Sequence, residues 1–296
     1  MDHPTVAVTG GTGRIGPTAV ETLQETGYEV VNVSRSGSSE VADRNVRADA
    51  TDAGDLYGAL ATARADAVVH LGMLSEPGGD PDHVVFESNA ASTYVVLEAA
   101  EALGIDTVVL ASSLSVIGGG FEPGPARIDT LPVEESHRLT PSNPYGIGKQ
   151  TLEIVADGFA RRADAPETIA SLRFPWMPSE SEMRAEFVEP DRTVSAIRDR
   201  GDFHVARNTL FSYLHRADAA ALIRDCAEAS FSGHERFWAA AADTTTSTPT
   251  AELVEAVYPD ADANRSFEDH ESLISTTKAE RLVGWEPERS WRELDG

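Results

Sequence analysis

Two hydrophobic patterns alternate along the first 175 residues. Short runs rich in Val, Ile and Thr predict buried strands, and between them apolar residues recur every three or four positions, as on one face of a helix. The predicted strands are Thr5–Thr9, Glu29–Val33, Asn45–Ala48, Ala67–Leu71, Thr107–Ala111 and Thr168–Phe174. The predicted helices are Ile15–Thr26, Asp52–Ala63, Val84–Leu103 and Tyr145–Arg162. This alternation predicts an α/β fold, a Rossmann-type doubly wound parallel sheet covered on both faces.

The C-terminal part continues the pattern less regularly, with Arg216–Ala229, Thr250–Val257 and Ser275–Leu282 as predicted helices and Glu235–Ala240 as a predicted strand. We predict a dinucleotide-binding domain over residues 1–172 and a small substrate-binding lobe over residues 173–296, with residues from about 203 to 240 returning to the core sheet. Turn-rich stretches at 118–125 and 175–190 follow predicted strand ends. Since ligands of doubly wound folds bind beyond those ends, both stretches are expected to wall the active site.

Charge narrows the choice of partners. Acidic residues number 49 against 24 basic ones, the net charge is −25, and Lys149 and Lys278 are the only lysines. This excess argues against nucleic acid or an anionic membrane as partner. An acid-rich, lysine-poor surface is typical of proteins from a high-salt cytoplasm, although an ordinary acidic protein is the alternative. A single cysteine, Cys226, the absence of an apolar run of 18 residues and an N-terminus without a leader pattern indicate a cytoplasmic protein.

We expect the melting temperature to rise with salt, because added ions screen the repulsion among the excess carboxylates. Thermal unfolding followed from dilute buffer to molar KCl measures this. A melting temperature that stays constant across the series would contradict the high-salt interpretation.

A glycine-rich turn, Thr-Gly-Gly-Thr-Gly-Arg-Ile-Gly at residues 9–16, joins the first predicted strand to the first predicted helix. Glycines let the backbone approach a pyrophosphate, which then rests on the helix's N-terminal amides and the positive end of its dipole. The flanking strands and helix favour a dinucleotide site over a purely structural turn. The expected cofactor contacts here are Gly10, Gly13, Arg14, Ile15 and Gly16.

The end of the second strand bears on the choice between NAD and NADP. An acidic residue there holds the adenosine ribose hydroxyls, whereas a basic residue accepts a 2′-phosphate. The strand ends in Ser34, Arg35 and Ser36, without a carboxylate. These residues favour NADP. NAD remains the alternative, with Arg35 stacked on adenine or turned to solvent.

Tyr145 and Lys149 are four residues apart at the start of a predicted helix, and therefore share one face. The ordinary pKa of a phenol is about 10, and a nearby ammonium together with an oxidised nicotinamide is expected to lower it. Tyr145 can then take the proton from a substrate hydroxyl as hydride leaves its carbon. Ser113, at a strand end, can donate a hydrogen bond to the same oxygen, with a capping role as its alternative.

These motifs, in this order, resemble the extended short-chain dehydrogenase/reductase superfamily, the NAD-dependent epimerase/dehydratase group. Further matching segments are Asp49-Ala50, His70–Met73, Asn89, Ala111–Gly118, Leu172–Pro175, Ser275–Lys278 and Leu282–Pro287. The resemblance implies a homodimer built on helices 84–103 and 145–162. It also implies cofactor contacts from Asp49, Ala50, Leu71, Gly72, Met73, Asn89, Ala111, Tyr145, Lys149 and Phe174.

Departures from the family pattern bear on the reaction. Leu114-Ser115 stands where the family's sugar dehydratases carry an acidic pair, which argues against a lyase. Ile117 stands where nucleotide-sugar epimerases usually carry Tyr. The pattern, including Ser75, looks more like the family's uronate or sugar dehydrogenases. Arg184 is a candidate for holding an anionic substrate group, or else a solvated arginine, and Arg173 is expected to be structural.

We therefore expect an NAD(P)-dependent oxidoreductase that moves hydride between nicotinamide and a sugar or sugar-acid hydroxyl or carbonyl, with Ser75, Ser113, Tyr145 and Arg184 contacting the substrate. No metal is expected. The alternative is a nucleotide-sugar epimerase with tightly bound NAD. A non-catalytic NADP-binding sensor is disfavoured, because the set of Ser113, Tyr145 and Lys149 is complete.

Overall fold

The computed structural model describes residues 4–36, 38–162 and 166–294, so Met1–His3, the start of the N-terminal stretch interpreted above, lie outside it. The strands are β1 (Thr5–Thr9), β2 (Glu29–Ser34), β3 (Arg44–Arg47), β4 (Ala67–His70), β5 (Thr107–Ser113), β6 (Thr130–Leu131), β7 (Thr168–Phe174), β8 (Gly233–Trp238) and β9 (Asp262–Ala263). Seven of them form one sheet in the order β3-β2-β1-β4-β5-β7-β8, and β6 pairs with β9 in a second, two-stranded sheet.

Every strand pair in the large sheet is parallel. All five residues of β1 and all seven of β7 are buried, because helices cover both faces. Strands buried on both sides read in the sequence as nearly continuous apolar runs, which is why they were visible there. The predicted Rossmann-type doubly wound sheet is confirmed.

The helices are α1 (Gly16–Glu25), α2 (Ala53–Ala63), α3 (Asp82–Phe86), α4 (Ser92–Leu103), α5 (Pro144–Phe159), α6 (Glu180–Met183), α7 (Val194–Arg200), α8 (Phe203–Asn208), α9 (Arg216–Ala227), α10 (Thr250–Val257) and α11 (Thr277–Val283). Helices α1 and α9 pack on one face of the sheet, and α2, α4 and α5 pack on the other. Each fully buried leucine in these faces, such as Leu23 or Leu97, contributes about 2 kcal/mol. None of the described helices is long and apolar enough to cross a membrane.

The predicted helix Val84–Leu103 proves to be three segments. A π-helical turn, Glu87–Ala91, separates α3 from α4. Here the Asn89 side chain donates to the Val85 carbonyl at 2.8 Å, and the Thr93 hydroxyl donates to the Asn89 carbonyl at 2.8 Å. Side chains that bond to backbone carbonyls compete with regular helix geometry, which accounts for the interruption.

The stretch 175–190, expected as a loop, contains α6 and a π-helical turn, Arg184–Val188. Ser179 caps this segment: its hydroxyl accepts from the Glu182 amide at 3.2 Å, and the Glu182 carboxylate accepts from the Ser179 amide at 2.6 Å. The Ser-x-x-Glu pattern of this capping box is present in the sequence at residues 179–182 and indicates a helix start, which the prediction of a loop missed. The short elements α7, α8, β6 and β9 were not predicted either.

The segment after β5 links the sheet to the C-terminal residues. A 3₁₀ turn, Leu114–Ile117, ends at Gly118 and buries Leu114 and Ile117 in a separate apolar cluster with Phe211 and Trp238.

Strand β8 pairs with β7, so residues 233–238 lie in the large sheet. The division at residue 172 stays a prediction.

Candidate active site

Two adjoining cavities lie along the carboxyl ends of the parallel strands, where doubly wound folds bind ligands. Their volumes are about 560 Å³ and about 570 Å³. Both cavities are lined by Gly10, Gly13, Leu71 and Met73, so together they form one elongated site. We call the half at the end of β2 the first cavity and the half at Tyr145 the second cavity.

The glycine turn shapes the floor between the two cavities. Gly10 has φ +71°, and a Cβ there would lie 2.6 Å from the Gly72 Cα. A Cβ on Gly16 would lie 2.4 Å from the Gly11 carbonyl carbon, so α1 starts directly against the turn. Ile15 occupies the N-cap of α1 and makes no side-chain hydrogen bond to the helix. The close approach and the uncapped helix start fit a bound pyrophosphate.

The far end of the first cavity combines a cation and a carboxylate. Ser34, Arg35 and Ser36 line it together with Asp49 and Ala50. The pKa of Asp49 is held below its usual range, because its carboxylate accepts from the Thr51 amide at 2.9 Å and the Thr51 hydroxyl at 2.7 Å, with Arg35 adding a smaller effect. Arg35 is exposed. The guanidinium is thus accessible to a negatively charged group of a ligand.

Ser113, Tyr145 and Lys149 come together in the second cavity, although β5 and α5 supply them separately. The Ser113 side chain acts on Tyr145 by lowering its pKa, and its hydroxyl accepts from the Ser115 amide at 3.1 Å, so it also caps the 3₁₀ turn. The Lys149 ammonium donates to the Ala111 carbonyl at 2.6 Å and lies 5.5 Å from the centre of the Tyr145 ring. Asn143 caps α5 at the Gly146 amide, 2.9 Å away, which fixes the helix start.

Burial dominates the electrostatics of this group. It raises the pKa of Tyr145, against the Ser113 hydrogen bond, and Glu76 raises that pKa further. Burial also lowers the pKa of Lys149 to about 7, with Glu153 opposing the shift. Among the chain's own groups, the Ser113 hydroxyl is the one that lowers the Tyr145 pKa, and the expectation that Lys149 together with an oxidised nicotinamide lowers it stays a prediction.

Most predicted contacts line the two cavities, including Arg14, Ile15, Ser75, Leu71, Gly72, Met73, Ala111 and Phe174. Three do not. Gly16 lies beneath the turn, Asn89 is buried with its amide donating to the Leu74 carbonyl at 3.1 Å, and Arg184 sits in the π-helical turn outside the cavity linings. Their expected contacts with cofactor or substrate stay predictions. Arg173 is structural, as predicted, since it is buried and paired with Glu153 at 2.8 Å.

Sequence reasoning missed several lining residues. Phe121, Trp176 and Glu76 line the second cavity, and Thr12 lines the first. Phe121 and Trp176 lie in the two turn-rich stretches, 118–125 and 175–190, that were expected to wall the active site. The sequence therefore indicated where these residues lie, but not that their side chains line the cavity.

The family model of the NAD dependent epimerase/dehydratase family matches residues 6–175. The chain belongs to this family. The matched stretch contains the glycine turn and all three of Ser113, Tyr145 and Lys149, which agrees with the resemblance found in the sequence.

Among relatives in the same family, UDP-glucose 4-epimerase 4 of Oryza sativa subsp. japonica is 33% identical over 187 residues, covering 57% of this chain and 48% of the relative. UDP-glucose 4-epimerase of Bacillus subtilis (strain 168) is 28% identical over 183 residues, covering 57% and 51%. The matched stretch therefore spans about half the length of these relatives.

Solved structures share the fold over nearly the whole chain. MoeE5 in complex with UDP-glucuronic acid and NAD superposes with a TM-score of 0.69 at 23% identity, covering 98% of this chain and 95% of that one. A mutated uronate dehydrogenase gives a TM-score of 0.67 at 21% identity, covering 99% and 85%. Both likenesses support the Rossmann-type fold.

Proposed function

We propose that the protein is an NAD(P)-dependent oxidoreductase that moves hydride between nicotinamide and a sugar or sugar-acid hydroxyl or carbonyl. The observation that carries the proposal is the meeting of Ser113, Tyr145 and Lys149 in one cavity that continues into the glycine turn.

When bound, the nicotinamide supplies the hydride acceptor or donor. In the oxidation direction, Tyr145 takes the proton from the substrate hydroxyl while the carbon loses hydride, and Ser113 donates a hydrogen bond to the same oxygen. Lys149, held by the Ala111 carbonyl, presents its ammonium beside Tyr145. Together with an oxidised nicotinamide, this positive charge would stabilise the phenolate form of Tyr145.

The second candidate is a nucleotide-sugar epimerase, in which hydride returns to the other face of the same carbon. Its support is the likeness to UDP-glucose 4-epimerases over 57% of the chain. A net absorbance change at 340 nm on mixing enzyme, dinucleotide and sugar favours the oxidoreductase. Retained cofactor with product formation but no net absorbance change favours the epimerase.

For the cofactor, we propose a preference for NADP, supported by exposed Arg35 at the end of β2. Replacing Arg35 with alanine should weaken NADP binding by about 1.5 kcal/mol, roughly tenfold, and leave NAD binding unchanged, because the charged hydrogen bond to a 2′-phosphate is lost. Titration of dissociation constants for both dinucleotides measures this.

The matched control is Arg47→Ala, an exposed arginine on β3 that does not line the first cavity. It should leave both dissociation constants unchanged. A wild type that prefers NAD, together with an indifferent Arg35→Ala variant, would refute the NADP assignment.

We also propose a homodimer formed through the helices of residues 84–103 and 145–162, which correspond to α3, α4 and α5. Phe86, Tyr94, Leu103, Ile147 and Ile154 are large apolar side chains exposed on this part of the surface. Large exposed apolar residues grouped on one side are typical of contact surfaces. Light scattering at high salt should give twice the chain mass, and a monomeric mass would reject the dimer.

A further inference from the structure

The wall of the second cavity carries exposed apolar side chains beside Tyr145. Nine large hydrophobic side chains are exposed in the described part of the chain, and three of them, Phe121, Trp176 and Val205, line this one cavity. Their exposed fractions are 47%, 39% and 57%. Apolar side chains gathered in a cleft mark the surface that a ligand covers.

Phe121 and Trp176 are held in place from behind. Phe121 packs edge-on against Tyr145, with ring centres 5.6 Å apart. Its neighbour Glu122 is buried and accepts hydrogen bonds from the Asn143 amide at 3.1 Å and the Asn143 side chain at 2.8 Å, which ties the loop to the start of α5.

Trp176 is anchored in the same manner. Its carbonyl accepts from the Leu214 amide at 3.0 Å, and its ring packs edge-on against buried Phe187 at 5.7 Å. Both aromatic rings are thus fixed by buried partners and still partly exposed, so they offer a preformed surface rather than one that a ligand must order.

Charges at the second cavity disfavour an anionic ligand. Glu76 is exposed, lines the cavity and acts on Tyr145 electrostatically. Two cations line this cavity among the described residues: the Lys149 ammonium donates to the Ala111 carbonyl, and Arg14, at the glycine turn, forms an exposed pair with Glu182 at 3.4 Å. A phosphate or carboxylate near Tyr145 would meet the Glu76 carboxylate.

We propose that Phe121 and Trp176 form the substrate subsite and that it takes an uncharged sugar or cyclic polyol, whose C–H face packs on the aromatic rings while one hydroxyl reaches Tyr145. The proposal rests on the proposed function, since the reacting hydroxyl is the one that Tyr145 deprotonates. It narrows the substrate from sugars and sugar acids in general to neutral rings, and separates this chain from enzymes acting on sugar nucleotides.

The first test compares kcat/KM for D-glucose and D-galactose with that for D-galacturonate and UDP-glucose, following both oxidation and epimerisation, at the lowest KCl concentration at which the protein stays folded, since molar salt screens an exposed carboxylate. We expect the neutral sugars to exceed the anionic compounds by roughly tenfold or more, since a like charge close to the reacting group disfavours binding. Better turnover of D-galacturonate or UDP-glucose overturns this inference and leaves the proposed function standing. No turnover of any of the four overturns both.

The second test uses variants of the wall. Trp176→Ala and Phe121→Ala should each raise KM for the neutral sugar by roughly 5- to 10-fold, with the dinucleotide Kd unchanged, and Trp176→Phe should restore KM because it retains an aromatic face. Glu76→Gln should increase kcat/KM for D-galacturonate several-fold. Leu282→Ala, which removes a side chain 38% exposed outside both cavities, is the control and should change nothing. A KM that moves less than twofold in both alanine variants contradicts the subsite.

Discussion

Replacing Tyr145 with phenylalanine is expected to lower kcat by about 10³-fold, because the variant has no hydroxyl to exchange a proton with the substrate. The ring itself remains, so its edge-on contact with Phe121 at 5.6 Å is preserved. The dinucleotide Kd and the melting temperature should therefore change little. Steady-state kinetics, a dinucleotide titration and thermal unfolding on the same preparation measure the three quantities.

The matched control is Tyr94→Phe. Tyr94 is exposed on α4, packs on Phe159 at 5.2 Å and lies outside both cavities, so its hydroxyl has no part in the proposed chemistry. This variant should keep the wild-type kcat. Activity of Tyr145→Phe within fivefold of wild type would remove the mechanism shared by the oxidoreductase and the epimerase.

The largest expected effect on stability comes from a buried ion pair behind the second cavity. Glu153 and Arg173 are each 1% exposed, and the carboxylate accepts from Arg173 at 2.8 Å and 2.9 Å and from the Ser112 hydroxyl at 2.7 Å. Glu153→Ala leaves the buried guanidinium uncompensated and should reduce the free energy of unfolding by about 3–5 kcal/mol. Denaturant unfolding at high salt measures the loss.

Two comparisons isolate the cause of that loss. Glu101→Ala removes the partner of Arg162 in a more exposed ion pair. This variant should reduce the free energy of unfolding by less than about 1 kcal/mol. The double variant Glu153→Met with Arg173→Met should lose clearly less free energy of unfolding than the sum of the two single variants, because neither member of the pair is left as an unpaired charge in the protein interior. Additive losses would show that packing, rather than the buried charge, sets the effect.

The sheet and its first helices could be predicted from the sequence because burial on both faces leaves an apolar run in every central strand. Thr168–Phe174 was predicted with the bounds that the structure gives to β7. The position of the site at the carboxyl ends of the strands followed from the same pattern, since Ser113 is the last residue of β5 and Tyr145 is the second residue of α5.

The rest depends on contacts between residues far apart in sequence. The π-helical turn at Glu87–Ala91 arises from side chains bonding to nearby carbonyls, one of them across a loop to Leu74. The balance of charges at Tyr145 depends on how deeply the fold buries the phenol and on Glu76, 69 positions earlier in the chain. The pattern of apolar and polar residues along the chain contains no information on the π-helical turn or on the charges around Tyr145.

We propose that the glycine turn at residues 10–16 binds the pyrophosphate of the dinucleotide. Ser113, Tyr145 and Lys149 then act at the substrate carbon that exchanges hydride with the nicotinamide. A crystal structure of the protein with bound NAD or NADP tests this proposal most directly. We predict the pyrophosphate on the turn at residues 10–16 and the nicotinamide ring in the second cavity, with its ribose hydroxyls within about 3.2 Å of Tyr145 or Lys149. A dinucleotide bound elsewhere, or a nicotinamide ring out of reach of Tyr145, would contradict the account.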